Sequence, residues 1–196
     1  MNDIKMKQPI VIVITGGSCA YKTTIVQLLK NKYPDKLLCS AESATMLMAN
    51  GFPDYDHNMK QKAIWHVQVC MEIILLEKAK KDNYKVILLD RGIMDGIAYA
   101  GNNVLNLIDI IHDIDILSRY DKVIHLETAA KLDDSSFDLF KLGNIARIEK
   151  TKEEAIYYDN KIKDVYSGHT NRIIIPASGS IAATFDAVEK IILEYI

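Results

Sequence analysis

The sequence is poor in the residues that mark special chemistry or a special environment. It holds three cysteines, four prolines and one tryptophan in 196 residues. Cys19, Cys39 and Cys70 are odd in number and lack metal-ligand spacing, so they read as reduced intracellular thiols rather than a disulfide framework. The five histidines are scattered, with no H-x-x-x-H or HExxH pair, which argues against a metal cluster. Neither charge sign dominates: 24 Lys and Arg face 26 Asp and Glu, so no basic field points to nucleic acid. Long apolar runs are missing too. The early one is short and better used as a strand than as a signal peptide or transmembrane segment, which predicts a cytoplasmic protein. Without repeats, low-complexity tracts or a Pro/Gly/Ser linker, residues 1–196 are expected to form a single domain.

What is present is concentrated between Val11 and Thr24, VIVITGGSCAYKTT. Four β-branched residues run into a Gly pair, a loop of small residues, and then Lys22-Thr23-Thr24 opening an amphipathic segment. This is the order strand, phosphate loop, helix. In G-x-x-x-x-G-K-[ST], backbone N–H groups surround phosphate oxygens at a helix N-terminus, the Lys reaches the β/γ-phosphates and the hydroxyl holds Mg²⁺. Gly16, Gly17, Ser18, Cys19, Ala20, Tyr21, Lys22, Thr23 and Thr24 are therefore the expected nucleotide contacts, with Thr23 on the metal. Tyr21 stands where the motif has its last glycine.

Further along, Glu42 lies just past the end of a short second strand, where ligands of open α/β sheets bind. It reads either as a crevice carboxylate or as a solvated first-turn Glu stabilised by the helix dipole. A long helix is predicted over about 58–82, with an apolar stripe at Ile64, Val67, Met71, Ile74 and Leu75. Gln61, Trp65, Gln68 and Glu72 share another face. That face either lines a substrate pocket, with Trp65 stacking and Gln68 hydrogen-bonding, or is solvated around one semi-buried Trp. The buried-type strand KVILLD ends at Asp90-Arg91-Gly92. Hydrolytic P-loop ATPases usually end this strand Asp-Glu. An Arg in place of the water-activating Glu suits transfer to a bound acceptor, because guanidinium clamps phosphate oxygens in pairs, and Asp90 would hold Mg²⁺. The alternative is a buried Asp90–Arg91 ion pair at a strand end. Residues 92–103 are punctuated by glycine and read as a wrap around the acceptor. His125, within KVIHL, reads as a satisfied core histidine. The looser stretch at about 128–150 is either a lid that brings Arg147 over the phosphates or a surface excursion.

Strands expected at 10–15, 36–40, 85–90, 122–127 and 172–175 alternate with helices. That pattern implies α/β architecture: a three-layer P-loop NTPase fold, a five-stranded parallel sheet with helices on both faces and a small lid.

Six segments, TGGSCAYKTT, AESATMLMANGFP, LLDRGIMDGIAYA, YDKVIHLETAA, NIARIEKTKEEAIYYD and GHTNRIII, resemble in this order a predicted P-loop ATPase/kinase family. That family is similar to the ribosylnicotinamide kinase domain and the TRPL translocation defect proteins, and more distantly to deoxynucleoside and thymidylate kinases. The resemblance implies an adenylate-kinase-like core with a lid. It makes Lys22 and Thr23 the nucleotide and Mg²⁺ contacts, Glu42 a general base or metal partner, Asp90-Arg91 the pair facing the acceptor, and Arg147 the lid arginine. The chain departs from it at Tyr21, where Gly is usual, and at Ser18, where Pro is frequent.

The expected activity is ATP- and Mg²⁺-dependent phosphotransfer to a small acceptor, a nucleoside or nucleotide, with Lys22, Glu42, Asp90, Arg91 and Arg147 catalytic. The rival is a nucleotide-binding regulatory module without transferase chemistry. A guanine-specific GTPase is disfavoured, because Asn160-Lys161-Ile162-Lys163-Asp164 is one residue too long for N-K-x-D. An AAA-type motor is disfavoured by the Asp-Arg strand end and the lack of a second helical domain.

Overall fold

The computed structural model describes residues 8–52, 56–100, 116–132 and 148–196. Its sheet has five parallel strands: β1 (Ile10–Thr15), β2 (Leu37–Cys39), β3 (Val86–Asp90), β4 (Lys122–Leu126) and β5 (Arg172–Ile175). Their spatial order is β2-β3-β1-β4-β5. β1 lies in the middle, with Ile14 in register with Asp90 of β3 on one side and with Ile124 of β4 on the other. The chain turns to opposite sides of β1 in its two halves, which makes the carboxyl end of β1 the switch point of the sheet. All five strands fall where the sequence puts them, within a residue at each end.

Alternation along the strands builds two cores. Ile12, Ile14, Leu88, Ile124 and Leu126 point to one face and pack under α1 (Lys22–Lys32) and the C-terminal helix Ile181–Ile192. Val13, Ile87, Leu89 and Val123 point to the other, with Ala79, Ala98, Ile162 and Tyr166 from the helices above them. Strands covered on both faces need apolar residues at every position, which explains the unbroken hydrophobic runs. Among the described residues the helices are α1, α2 (Ser43–Ala49), α3 (His57–Asp82), α4 (Ile93–Ala100), α5 (Lys152–Val165) and α6 (Ile181–Ile192). Short polar residues set their starts. Asp56 accepts from the amides of Asn58 and Met59, Thr151 from Glu154 and Ser180 from Ala183. The Gly-punctuated wrap expected at 92–103 is a helix as far as Ala100. Most of the lid expected at about 128–150 lies outside the described residues, as does Arg147. No described helix is long and apolar enough to cross a membrane.

α3 decides between the two readings of its polar face, which is buried and not solvated: Trp65 is 2% exposed and Gln61, Gln68 and Glu72 are buried with it, while the apolar stripe is only partly covered, with Leu75 packed on the core and Ile74 63% exposed. The helix packs against α4, where Gly96 leaves room for the Trp65 ring; a Cβ there would come within 2.8 Å of Trp65 Cδ1. Gln68 and Glu72 can be buried on this face because both are hydrogen-bonded. The Gln68 amide accepts from Ser43 Oγ at 3.0 Å and donates to Glu72 Oε1 and to the Arg91 carbonyl, each at 3.0 Å. Tyr120 Oη donates to the same Glu72 oxygen at 3.1 Å.

Trp65→Ala should therefore cost about 3–5 kcal/mol of unfolding free energy in denaturant melts. Ile74→Ala should stay within about 0.5 kcal/mol of the parent. Equal losses would contradict the assignment of faces.

Candidate active site

At the end of β1 the chain turns on Gly16, with φ 131°; a Cβ there would sit 2.0 Å from the Leu126 carbonyl oxygen. Only glycine fits that approach. Cys19 and Tyr21 also take positive φ, 62° and 59°. Tyr21 caps α1 in the left-handed conformation that its missing glycine would adopt freely. Such a conformation costs a side-chain-bearing residue about 1 kcal/mol or more. Here the Tyr21 side chain packs against the core cluster of Ile12, Ile25 and Leu29. The loop thus keeps the glycine backbone form without the glycine. Lys22 is buried, and its Nζ donates to the Gly17 carbonyl at 2.5 Å. Burial, with the Arg91 charge nearby, pulls its pKa down to about 8, against the opposing pull of Glu42, Asp90 and Asp95.

β3 delivers Asp90 and Arg91 to the same end of the sheet. The expected alternative of an Asp90–Arg91 ion pair is not what forms. Arg91 has φ 71°, and its guanidinium runs to other carboxylates: Nε to Glu42 Oε1 at 2.7 Å and Nη1 to Asp95 Oδ1 at 3.1 Å. Nη1 also donates to the Gly16 carbonyl at 3.2 Å, and the Tyr99 ring lies 5.4 Å from the guanidinium carbon. Asp95 is fixed in turn by Thr15 Oγ1 at 2.8 Å, the Gly92 amide at 3.0 Å and Tyr166 Oη at 2.8 Å. Glu42 is a buried crevice carboxylate and not a solvated first-turn residue. Burial alone would raise its pKa, but Arg91, the Thr45 hydroxyl and Lys22 outweigh burial and hold it at about 2.

Asp90 is different. It is 1% exposed, and its amide donates to Ser40 Oγ at 2.8 Å. Neither carboxylate oxygen has a hydrogen-bond partner among the described residues. Burial, then the Glu42 charge, pushes its pKa up to about 6, despite Thr23, Lys22 and Arg91. A buried carboxylate without donors, with the Thr23 hydroxyl and the phosphate loop beside it, suits a hard divalent cation such as Mg²⁺.

Lys22, Glu42, Arg91 and Asp95 border a cavity of about 670 Å³. Ser18 to Thr24 form one wall, Glu42 and Arg91 the floor, and Gln61, Trp65 and Tyr99 the far side. Gln68 reaches the cavity with its amide already committed, so it frames Arg91 instead of serving as an unpaired recognition head. Gly16 and Gly17 support the loop from behind, and Asp90 lies beneath it.

A family model described as an AAA domain matches residues 11–183. The chain belongs to this AAA domain family. Membership does not make it a motor, and the Asp90-Arg91 strand end that argued against one concerns chemistry, not kinship. No curated protein matches this AAA domain in sequence. Among solved structures it is similar to deoxyadenosine kinase from M. mycoides with bound dATP, with a TM-score of 0.63 at 16% identity over 94% of this chain and 99% of that one. The same kinase with the products dCMP and a flexible dCDP gives a TM-score of 0.58 at 15% identity over 94% and 100%. At such identity the likeness establishes the fold alone, an α/β sheet of the P-loop NTPase type.

Asp95 and Tyr99 fall in the 92–103 segment read as wrapping the acceptor, but the sequence assigns neither a role of its own. Asp95 lies four residues after Arg91, a helical spacing that could have disclosed the pair. Tyr99 carried no such signal, because its importance comes from contacts distant in sequence, among them its hydroxyl donating to Glu149 Oε1 at 2.8 Å.

The orphaned Asp90 has a measurable consequence. Folding raises its pKa, so the metal-free fold loses stability as pH climbs from about 4 through 6, where the unfolded chain ionises Asp90 more readily. Without divalent metal, Asp90→Asn should be more stable than the parent by roughly 1–3 kcal/mol above pH 6 and indistinguishable from it near pH 4. Urea melts in chelator at both pH values check this; a variant less stable at high pH would contradict it.

Proposed function

We propose that the chain is an ATP- and Mg²⁺-dependent kinase that phosphorylates a hydroxyl of a small acceptor, a nucleoside or nucleotide. The observation that supports it best is the Arg91 guanidinium held between Glu42 and Asp95 on the floor of the cavity that the phosphate loop walls. The structural neighbours, a deoxyadenosine kinase with nucleotides bound, point the same way.

In this reading the loop amides and Lys22 bind the phosphates, and Lys22 exchanges its contact with the Gly17 carbonyl for phosphate oxygens. Lys22 and the amides meet the charge that gathers on ADP as the bond from the γ-phosphorus to its bridging oxygen breaks. Glu42, ionised throughout the neutral range, accepts the acceptor hydroxyl's proton as that oxygen bonds to the γ-phosphorus. Its low pKa makes it a weak base, so its contribution is chiefly orientation, with proton transfer late. Arg91 clamps oxygens of the transferred group while Asp95 keeps it aimed. Thr23 and Asp90 would hold Mg²⁺, which when bound offsets phosphate charge. Arg147, outside the described residues, keeps its proposed place over the phosphates.

A coupled ADP-release assay against a panel of nucleosides and nucleotides tests the reading. At least one acceptor should raise ADP release well above the ATP-only rate. Glu42→Gln should then lower kcat by about 100-fold or more with the ATP Kd within about threefold. ADP release independent of every acceptor, with ATP still bound, would instead support the regulatory module.

A further inference from the structure

Behind the phosphate loop, on the side away from the cavity, lies a cluster of buried polar groups that phosphotransfer does not use. Asp159, from α5, is 0% exposed. Its Oδ1 accepts from the Gly17 amide at 2.9 Å and pairs with His125 Nε2 at 3.0 Å; its Oδ2 forms an ion pair with Lys131 Nζ at 2.7 Å. Lys131 is also paired with Glu127, which Lys163 joins at 2.7 Å. His125 is the core histidine the sequence suggests, fully buried and satisfied on one side by Asp159, while its buried Nδ1 has no partner among the described residues. Two further contacts reach the same loop. Thr128 Oγ1 donates to the Ser18 carbonyl at 2.6 Å, and the Ala129 amide donates to the Cys19 carbonyl at 3.2 Å.

Three consecutive loop residues are therefore held from behind by one backbone group each. Charge does not explain the arrangement. A carboxylate close behind an anion-binding loop opposes phosphate, and Lys131 serves to cancel it. Contact geometry gives the better account: a Cβ on Gly17 would come within 2.8 Å of Asp159 Cβ, so α5 presses directly on the loop. With the Ser18 and Cys19 carbonyls drawn backward, the amides beyond them face the cavity, the arrangement an anion-binding nest requires.

We infer that Asp159, with Thr128, is a positioning residue that braces the phosphate loop in its nucleotide-ready form before any nucleotide arrives. The inference rests on the proposed kinase reading for its use, but the brace itself is measurable without nucleotide. Burial opposes the Asp159 charge, yet His125, Lys131 and the Gly17 amide outweigh burial and keep its pKa well below the usual carboxylate range. At neutral pH it is the ionised acceptor the brace requires. The Gly17 peptide is held at both ends, its N–H by Asp159 and its carbonyl by Lys22, so the brace also sets where the Lys22 ammonium waits.

Hydrogen exchange of the nucleotide-free protein decides the matter, with Asp159→Ala, Asp159→Asn, Thr128→Val and a core control, Val188→Ala in α6. Asp159→Ala should speed exchange across residues 16–21 by about tenfold or more, and Asp159→Asn, which retains an acceptor for the Gly17 amide, should recover most of the protection. In turnover, Asp159→Ala should raise the KM for Mg–ATP by a similar factor, with kcat and the acceptor KM within about twofold. Val188→Ala should lower the melting temperature without either effect. Unchanged loop exchange in Asp159→Ala, or equal acceleration in Val188→Ala, would overturn the brace. Should Asp159→Ala not fold, Thr128→Val is judged by the same loop exchange. A parent protein that binds no nucleotide would end the kinase reading and leave the exchange comparison to decide the brace.

Discussion

The site depends on where one guanidinium is held. Arg91 leaves β3 in a left-handed conformation, and that turn takes its side chain from the adjacent Asp90 to Glu42 and Asp95. Had Arg91 paired with Asp90, the strand end would be a neutral, closed ion pair. Instead the pairing draws together three elements, the start of α2, the start of α4 and the end of β1 through Thr15. It also leaves Asp90 without a cation of its own, which a buried carboxylate tolerates only at a cost in stability.

The two perturbed groups on either side of this pairing are complementary. Lys22 is drawn down to about 8 and Asp90 pushed up to about 6, each because burial penalises its charged form. Phosphate would relieve the first and a divalent cation the second. A metal–nucleotide complex would supply both charges together and relieve both penalties at once. Functional sites commonly concentrate such shifts, and here they occur at the carboxyl ends of β1 and β3, where the sheet topology places ligands.

The sheet was legible because its strands are buried on both faces: runs such as VIVIT, KVILL and KVIHL are too apolar and β-branched for any other place. The phosphate loop was legible through Gly16, Lys22 and Thr23, whose spacing follows directly from chemistry. Tyr21 looked like a defect because sequence shows residue type and not φ; the structure supplies the glycine conformation and puts the ring to use in the core. The two readings of α3 stayed open for a related reason. Periodicity finds the apolar stripe, but burial followed Gln61, Trp65, Gln68 and Glu72, whose partners on α2, α4 and the segment at Arg119 and Tyr120 lie far away in sequence. Asp159 was invisible on the same ground. Nothing near it in the chain predicts that it reaches the Gly17 amide, 142 residues earlier.

Central to the proposed function is that Asp90 and Thr23 would hold the metal of a metal–nucleotide complex. Calorimetric titration of ATP, with Mg²⁺ and with chelator, tests it most directly. The parent should bind ATP about tenfold or more tightly with Mg²⁺, and Asp90→Asn should lose most of that difference. An ATP Kd that Mg²⁺ leaves unchanged in the parent, or a Mg²⁺ effect that survives intact in Asp90→Asn, would contradict it.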